Sequence, residues 1–322
     1  MCEKKQKRDG KKKKIKDILP IGGTVLKDIK VTVVMPTFNR CDLIVDAVQS
    51  VLEQTHSNFE LIIVDDNPAD SEARMKTRAV IDKINDERIA YVENEENCGP
   101  SISRNNGIAH AQGEYITFLD DDDEYERTKL EEQLAFMLEH NLDLCFCDGA
   151  MYTKDGKLIK EKKRNLPLGL DKNELMKVHM IDHLTGTNTM MFKASFLKSV
   201  GGFDAVTAAE EYYLTEKSIN AGARIGNIDH PLTRTILHNG KHITTSKTKI
   251  VTENDLFKAK KKYFNLLTRK EIRIVRVRHY ATLAYANLKC KKVFACFFSC
   301  VMGMLNSPIE FMRIVKLNWK KI

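Results

Sequence analysis

Between Ile29 and Leu119, short β-rich apolar runs alternate with helical stretches, and several of the runs stop at polar or acidic clusters. Val31-Thr32-Val33-Val34-Met35 reads as a buried strand closed by a turn at Pro36. Asp42 can then cap a helix whose Leu43, Ala47, Val48, Val51 and Leu52 fall on one face. A second strand, Glu60 to Val64, stops at Asp65-Asp66-Asn67-Pro68. The pattern continues with a helical stretch before Asp82, a strand from Arg88 to Val92, a helix from Ser101 to Ala111 ended by Gly113, and a strand from Tyr115 to Leu119. This alternation predicts an α/β fold, with a mostly parallel central sheet flanked by helices on both faces. Ligands of such sheets bind beyond the carboxyl ends of the strands. Three polar clusters sit at such ends: Pro36 to Arg40, Asp65 to Asp70, and Asp120 to Asp123.

The second half is less regular. Asp155-Gly156 reads as a hairpin turn, Thr187 to Phe192 as a strand, Glu210 to Ala221 as a helix stopped by Gly222, and Leu232 to Leu237 as a late strand. From Lys241 onward the composition turns basic and helical. The expected division is a basic flexible segment over 1–28, an α/β domain over 29–240, and a helical basic C-terminal extension over 241–322.

The run Asp120-Asp121-Asp122-Asp123 places four carboxylates directly after a buried strand. Like charges so close repel unless a cation or hydrogen-bond donors neutralise them. Magnesium or manganese suits the task, because each binds one or two carboxylates together with substrate phosphates. Taken alone, the run reads equally as a solvated acidic turn before a helix. Asp65-Asp66 likewise reads either as an Asx turn or as an acceptor for a base N–H of a nucleotide. Asn97 and Arg104 could touch ribose or phosphate.

Several ordered segments carry a resemblance: Val33-Val34-Met35-Pro36-Thr37-Phe38-Asn39-Arg40, Ser50-Val51-Leu52-Glu53-Gln54-Thr55, Val64-Asp65-Asp66, Asn97-Cys98-Gly99-Pro100-Ser101, Arg104-Asn105-Asn106-Gly107-Ile108 and Gly113 to Asp120. In order and spacing they resemble family 2 of the inverting glycosyltransferases, which have a GT-A fold, over Ile29 to His238. The resemblance implies a nucleotide-sugar donor, most commonly a uridine one, and a divalent metal, Mn2+ or Mg2+. It implies that Pro36, Thr37 and Phe38 line the nucleotide pocket, that Asp66 with Asp65 beside it reads the base, and that Arg104 sits near the ribose or diphosphate. Asp120 and Asp122 match the family's D-x-D motif, which makes Asp122 the expected metal ligand and Asp120 or Asp121 a ribose or supporting contact.

Val200-Gly201-Gly202-Phe203-Asp204 followed by Glu210-Glu211 resembles the family's segment that carries the general base. The base is usually an aspartate and here it is Glu211, one methylene longer; a capping acid at a helix start is the other reading. His238 resembles a histidine that some relatives place near the metal or diphosphate. The implied acceptor is a hydroxyl of a glycan, polysaccharide or glycolipid. The rival readings are a non-catalytic binding or scaffold protein with a nucleotide-sugar fold and a sugar nucleotidyltransferase. The second normally shows a glycine-rich basic loop near the first strand, which Pro36 to Arg40 lacks.

The net charge of +8 concentrates in Lys4 to Lys16, Lys258 to Lys262, Arg269 to Arg278 and Lys289 to Lys292. Such clusters suit an anionic partner, either a phospholipid surface or nucleic acid, and the N-terminal one reads equally as a solubilising disordered tail. Nucleic acid is not expected, since aromatic and basic residues are not interleaved as in a single-strand platform. The eight cysteines are scattered and no zinc spacing appears, which fits buried thiols in a reducing cytoplasm. No apolar run precedes Pro20, so export is not expected. Val293 to Leu305 would form a helix only about 20 Å long, short of a roughly 30 Å hydrocarbon layer. With its basic flanks and Trp319-Lys320-Lys321, this end reads either as a helix lying in the membrane interface or as one packed on the domain or another subunit.

Overall fold

In the computed structural model, which describes residues 26–206, 208–238 and 246–319, β1 (Val31–Thr37) lies centrally in a nine-stranded sheet. The basic cluster Lys4 to Lys16, the Trp319 side chain and Lys320-Lys321 lie outside the described residues. On one side β1 pairs in parallel with β2 (Phe59–Asp65), which pairs in parallel with β3 (Ile89–Glu93). On the other side it pairs in parallel with β4 (Tyr115–Phe118). The helices α1 (Ile44–Leu52), α2 (Glu72–Ile84) and α3 (Pro100–His110) connect these strands. The chain therefore leaves β1 toward β2 and returns to its other side at β4, which makes the gap between the ends of β1 and β4 a topological switch point.

Val33 and Met35 pack into one apolar cluster and Val34 into another, as the two-residue period of a strand requires when both faces are covered. At Gly107 of α3 an added Cβ would stand 2.3 Å from Cγ1 of Val34, so this glycine lets the helix lie close on β1. β1 continues through Pro36 to Thr37, beyond the turn expected at Pro36. The carbonyl of Val34 accepts from the Leu119 amide on the β4 side, and Pro36 faces the same way, past the last paired residue of β4. Its missing N–H therefore removes no ladder bond. Asp42 does not cap α1: the cap is Leu43, without a side-chain bond, because Leu43 N and Ile44 N already donate to Arg40 O.

Beyond β4, the sheet continues through strands of mixed direction. β5 (Asp123–Tyr125) follows the acidic turn, then α4 (Lys129–Glu139), β6 (Leu144–Thr153), β7 (Leu158–Lys162) and α5 (Lys172–Asp182). β8 (Met190–Lys193), α6 (Ala194–Ser199), α7 (Glu210–Asn220) and β9 (Ile225–Leu237) complete this part. β8 is antiparallel to β4 and β6, and β9 is parallel to β6 and antiparallel to β5. The strand expected over Thr187 to Phe192 begins only at Met190, after a 3-10 turn at Thr187–Thr189.

The C-terminal helices α8 (Ser246–Lys261), α9 (Arg269–Lys289), α10 (Val293–Asn306) and α11 (Pro308–Trp319) follow. Leu256, Phe257, Leu267 and Val275 belong to the same apolar cluster as Val34 and Phe118, so α8 and α9 complete the core of the sheet. α10 and α11 instead leave a large apolar face open: Phe294 is 92 % exposed, and Phe297, Phe298, Leu305 and Ile309 are also exposed. Among the described residues, no helix is long and apolar enough to cross a membrane.

Candidate active site

A cavity of about 540 Å³ opens at the switch point. Pro36, Thr37, Phe38, Asp66, Asn97, Arg104, Asp120, Asp121, Asp122 and Glu211 all line it. Asp65 and His238, also expected at the site, are not among its lining residues.

The four aspartates after β4 have four different environments. Asp121 is buried, its Oδ2 accepting from Thr37 Oγ1 at 2.7 Å and its Oδ1 from Arg40 Nη1 at 2.8 Å. Burial lifts its pKa to about 6 against the opposing pull of Arg40 and Thr37. Asp122 faces the cavity with Oδ2 2.8 Å from Arg40 Nη1, and burial and Asp120 still hold its pKa above the ordinary carboxylate value. Asp120 accepts from Arg104 Nη2 at 2.6 Å. Asp123 opens β5 and turns inward to Asn188 Nδ2 at 2.5 Å and Thr235 Oγ1 at 3.2 Å. Burial, followed by Asp120 and Asp122, pushes its pKa well up. Arg40 is the counter-charge of the turn and was not singled out from the sequence. A cation at the end of the β1 segment, facing a run of acids, was the available signal.

The pair at the end of β2 divides in the same way. Asp65 is fully buried behind the cavity wall, where its Oδ1 accepts from the Asn67 amide at 2.8 Å and from Asn67 Nδ2 at 2.7 Å, while Tyr91 donates to Oδ2. Asp66 lines the cavity and accepts from Asn94 Nδ2 at 2.7 Å, Cys98 N at 2.8 Å and Gly99 N at 2.9 Å. Adjacent residues at a strand end point to opposite sides, so only one of two neighbouring aspartates can face the crevice. Asn94, which also takes up Ser103 and Asn106, is a buried organiser of this wall that sequence reasoning missed.

The far wall comes from α7. Phe203 N donates to Asn105 Oδ1 and Asn105 Nδ2 to Phe203 O, both at 2.8 Å, which clamps the preceding loop to α3. Gly202 allows the clamp: its φ is +61°, and an added Cβ would stand 2.4 Å from Asn105 Oδ1. Ala209 adopts a left-handed φ of 63° and turns the chain into α7. Glu210 then meets Arg104 Nη1 at 2.7 Å. Burial opposes the charge of Arg104, but Asp120 and Glu210 together raise its pKa. Glu211 forms no ion pair among the described residues. Burial and then the neighbouring Glu210 raise its pKa to about 7, the range in which a carboxylate serves as a general base near neutrality.

Among the described residues, no group of three or more His, Cys, Asp or Glu could hold a metal by itself. The arrangement fits a hard cation held by few protein ligands and by substrate phosphates. Asp122 lines the cavity beside Arg40, and His238 Nε2 lies 3.3 Å from the Asp122 carbonyl oxygen.

The family model for glycosyl transferase family 2 matches residues 32–199. The putative teichuronic acid biosynthesis glycosyltransferase TuaG of Bacillus subtilis (strain 168) is 38 % identical over 157 residues, covering 48 % of this chain and 60 % of TuaG. The UDP-Glc:alpha-D-GlcNAc-diphosphoundecaprenol beta-1,3-glucosyltransferase WfgD of Escherichia coli is 35 % identical over 121 residues, covering 38 % of this chain and 46 % of WfgD. The chain thus spans less than two thirds of either relative. The structure of S. aureus TarS 1-349 in complex with UDP-GlcNAc superposes with a TM-score of 0.58 at 16 % identity, over 91 % of this chain and 92 % of that one. A likeness at this identity shows a shared fold, the GT-A arrangement expected from the sequence.

Proposed function

Because this chain belongs to glycosyl transferase family 2, we propose that it transfers a sugar, with inversion, from a uridine diphosphate sugar to a hydroxyl of a glycan, polysaccharide or glycolipid. The observation that carries this reading is that Arg104 ties the acidic end of β4 to the start of α7, which places Asp120, Asp122 and Glu211 on one cavity. The named activities of TuaG and WfgD and the UDP-GlcNAc bound in TarS support it.

In this reading Pro36, Thr37 and Phe38 receive the nucleotide and Asp66 reads the base, with Asp65 bracing that wall from behind. Asn97, Arg104, Asp120 and Asp121 serve the ribose and diphosphate side. Asp122, with His238 beside it, would hold Mn2+ or Mg2+, which when bound supplies positive charge to the leaving diphosphate. Glu211 takes the acceptor hydroxyl proton onto a carboxylate oxygen. The acceptor oxygen attacks the anomeric carbon from the face opposite the diphosphate, and the electrons of the breaking carbon–oxygen bond leave with UDP. Residues 29–240 form the transferase unit in this reading, and of the extension over 241–322 the helices α8 and α9 complete its core.

The exposed apolar face of α10 and α11 rests, in this proposal, on the cytoplasmic surface of an anionic membrane. Lys289, Lys291, Lys292, Arg313 and Lys316 supply the complementary charge, and the described cysteines are free thiols, as a reducing compartment requires. Incubating the full chain with a panel of nucleotide sugars and Mn2+ tests the transferase reading. Slow release of nucleoside diphosphate from one or more donors is expected. Neither binding nor release with any donor would leave a non-catalytic protein.

A further inference from the structure

Next to the donor cavity lies a second one, of about 770 Å³, walled on one side by Ala205, Ala208 and Tyr213 and on the other by α8. Ala208 and Thr248 line both cavities, so the two meet beside the start of α7, where Glu211 stands. From Lys247 to Lys262 the residues lining this groove recur every three to four positions, as they must if α8 and the turn after it present one face to it. Lys247, Lys258 and Lys262 stand on that face against a single acid, Asp255.

Other lysines of the same stretch have structural work. Lys260 is buried and donates to His183, and Lys261 sits over the Phe257 ring at 4.8 Å. Lys247, Lys258 and Lys262 form no ion pair among the described residues. The facing loop offers them none either, since its Asp204 is held by Lys217 at 2.7 Å. Cations gathered on a groove wall without protein partners favour an anionic ligand. Their spacing along the helix, about 16 Å from Lys247 to Lys258, suits an extended chain better than a single ion.

We propose that this groove is the acceptor subsite and that it takes a glycan chain carrying phosphate or carboxylate groups. The charged units lie on Lys258 and Lys262 while the terminal hydroxyl reaches Glu211 through the opening at Ala208 and Thr248. This rests on the transferase reading for the role of Glu211, whereas the binding of the anionic chain does not. A neutral acceptor offers the three ammonium groups hydroxyl oxygens but no counter-charge, so the groove favours a charged one.

The test is calorimetric titration of the full chain with three probes: a glycerol phosphate oligomer, an oligogalacturonate and maltohexaose. One or both anionic oligomers are expected to bind, with maltohexaose at least about tenfold weaker, and the preferred anion identifies phosphate or carboxylate as the natural unit. K258Q/K262Q should weaken the preferred oligomer roughly tenfold, the scale of two lost charge-assisted contacts. The same variant should bind UDP as the parent does. K157Q/K160Q removes equal charge from the exposed β7 hairpin and should leave oligomer binding unchanged. Equal binding of maltohexaose, an unaffected K258Q/K262Q, or an equal loss in K157Q/K160Q overturns the proposal. Oligomer binding through these lysines in a protein that binds no UDP would keep the groove and remove the transferase reading.

Discussion

Arg104 and Glu210 meet across 106 residues of chain, with Nη1 2.7 Å from Oε1, in a pair that is almost entirely shielded from water. The other arm of the same guanidinium holds Asp120 at 2.6 Å. One cation thus joins the strand end of the donor side to the helix that carries Glu211.

Removing that cation leaves the buried Glu210 without its counter-charge and releases the partly exposed Asp120. Arg104→Met should lower unfolding stability by about 3 kcal/mol, the usual cost of orphaning a buried ion-pair partner. Donor turnover should fall with it. Urea denaturation monitored beside UDP release checks both, and a variant as stable as the parent would show that the bridge contributes no net stability.

Glu211 supplies a pH dependence. Its pKa is raised to about 7 from an ordinary 4.5, and a general base acts only when ionised. Transfer should therefore rise with pH between 6 and 8 through a midpoint of about 7. The folded chain binds this proton more tightly than the unfolded one, so the residue lowers stability as pH rises from 4.5 to about 7. Glu211→Gln should cut transfer by roughly 100- to 10,000-fold, keep UDP affinity and flatten that stability trend. Full activity in Glu211→Gln would assign the base elsewhere.

Chelation separates the roles of the aspartates. EDTA should abolish UDP release, and added Mn2+ or Mg2+ should restore it. Asp122→Ala should lose metal-dependent release with little change in thermal stability. Asp121→Ala should instead unfold several degrees lower, since it strips Thr37 and Arg40 of a buried partner. The opposite assignment would be indicated if Asp122→Ala kept its metal response.

Flotation with liposomes tests the α10–α11 face. The full chain should float with vesicles containing phosphatidylglycerol, less with neutral ones, and less at high salt. Substituting Phe294, Phe297 and Phe298 by serine should abolish flotation while leaving UDP release intact. Equal flotation of this variant would move the contact to another surface.

Much of the donor half of the site was readable from the chain because its signals are local. The apolar runs that form β1, β2 and β4 end at Pro36, Asp65 and Asp120, and a parallel sheet brings such ends together. The acceptor half was harder. β6 and β9 pair across some 80 residues, and α8, which walls the groove, shows only a basic composition until its lysines are sorted by face.

The sequence alone determined the alternation of strand and helix, the family resemblance and the set of acids at the strand ends, because these follow from periodicity and residue chemistry within short windows. Only the tertiary structure decided which acid faces the cavity and which is held by the protein. Asp66 faces the cavity and Asp65 does not, Asp121 is taken by Thr37 and Arg40 from more than 80 residues away, and Asp123 is turned to Asn188. The direction and charge of a side chain at a strand end depend on the partners that distant segments bring to it, and spacing along the chain carries no record of those partners.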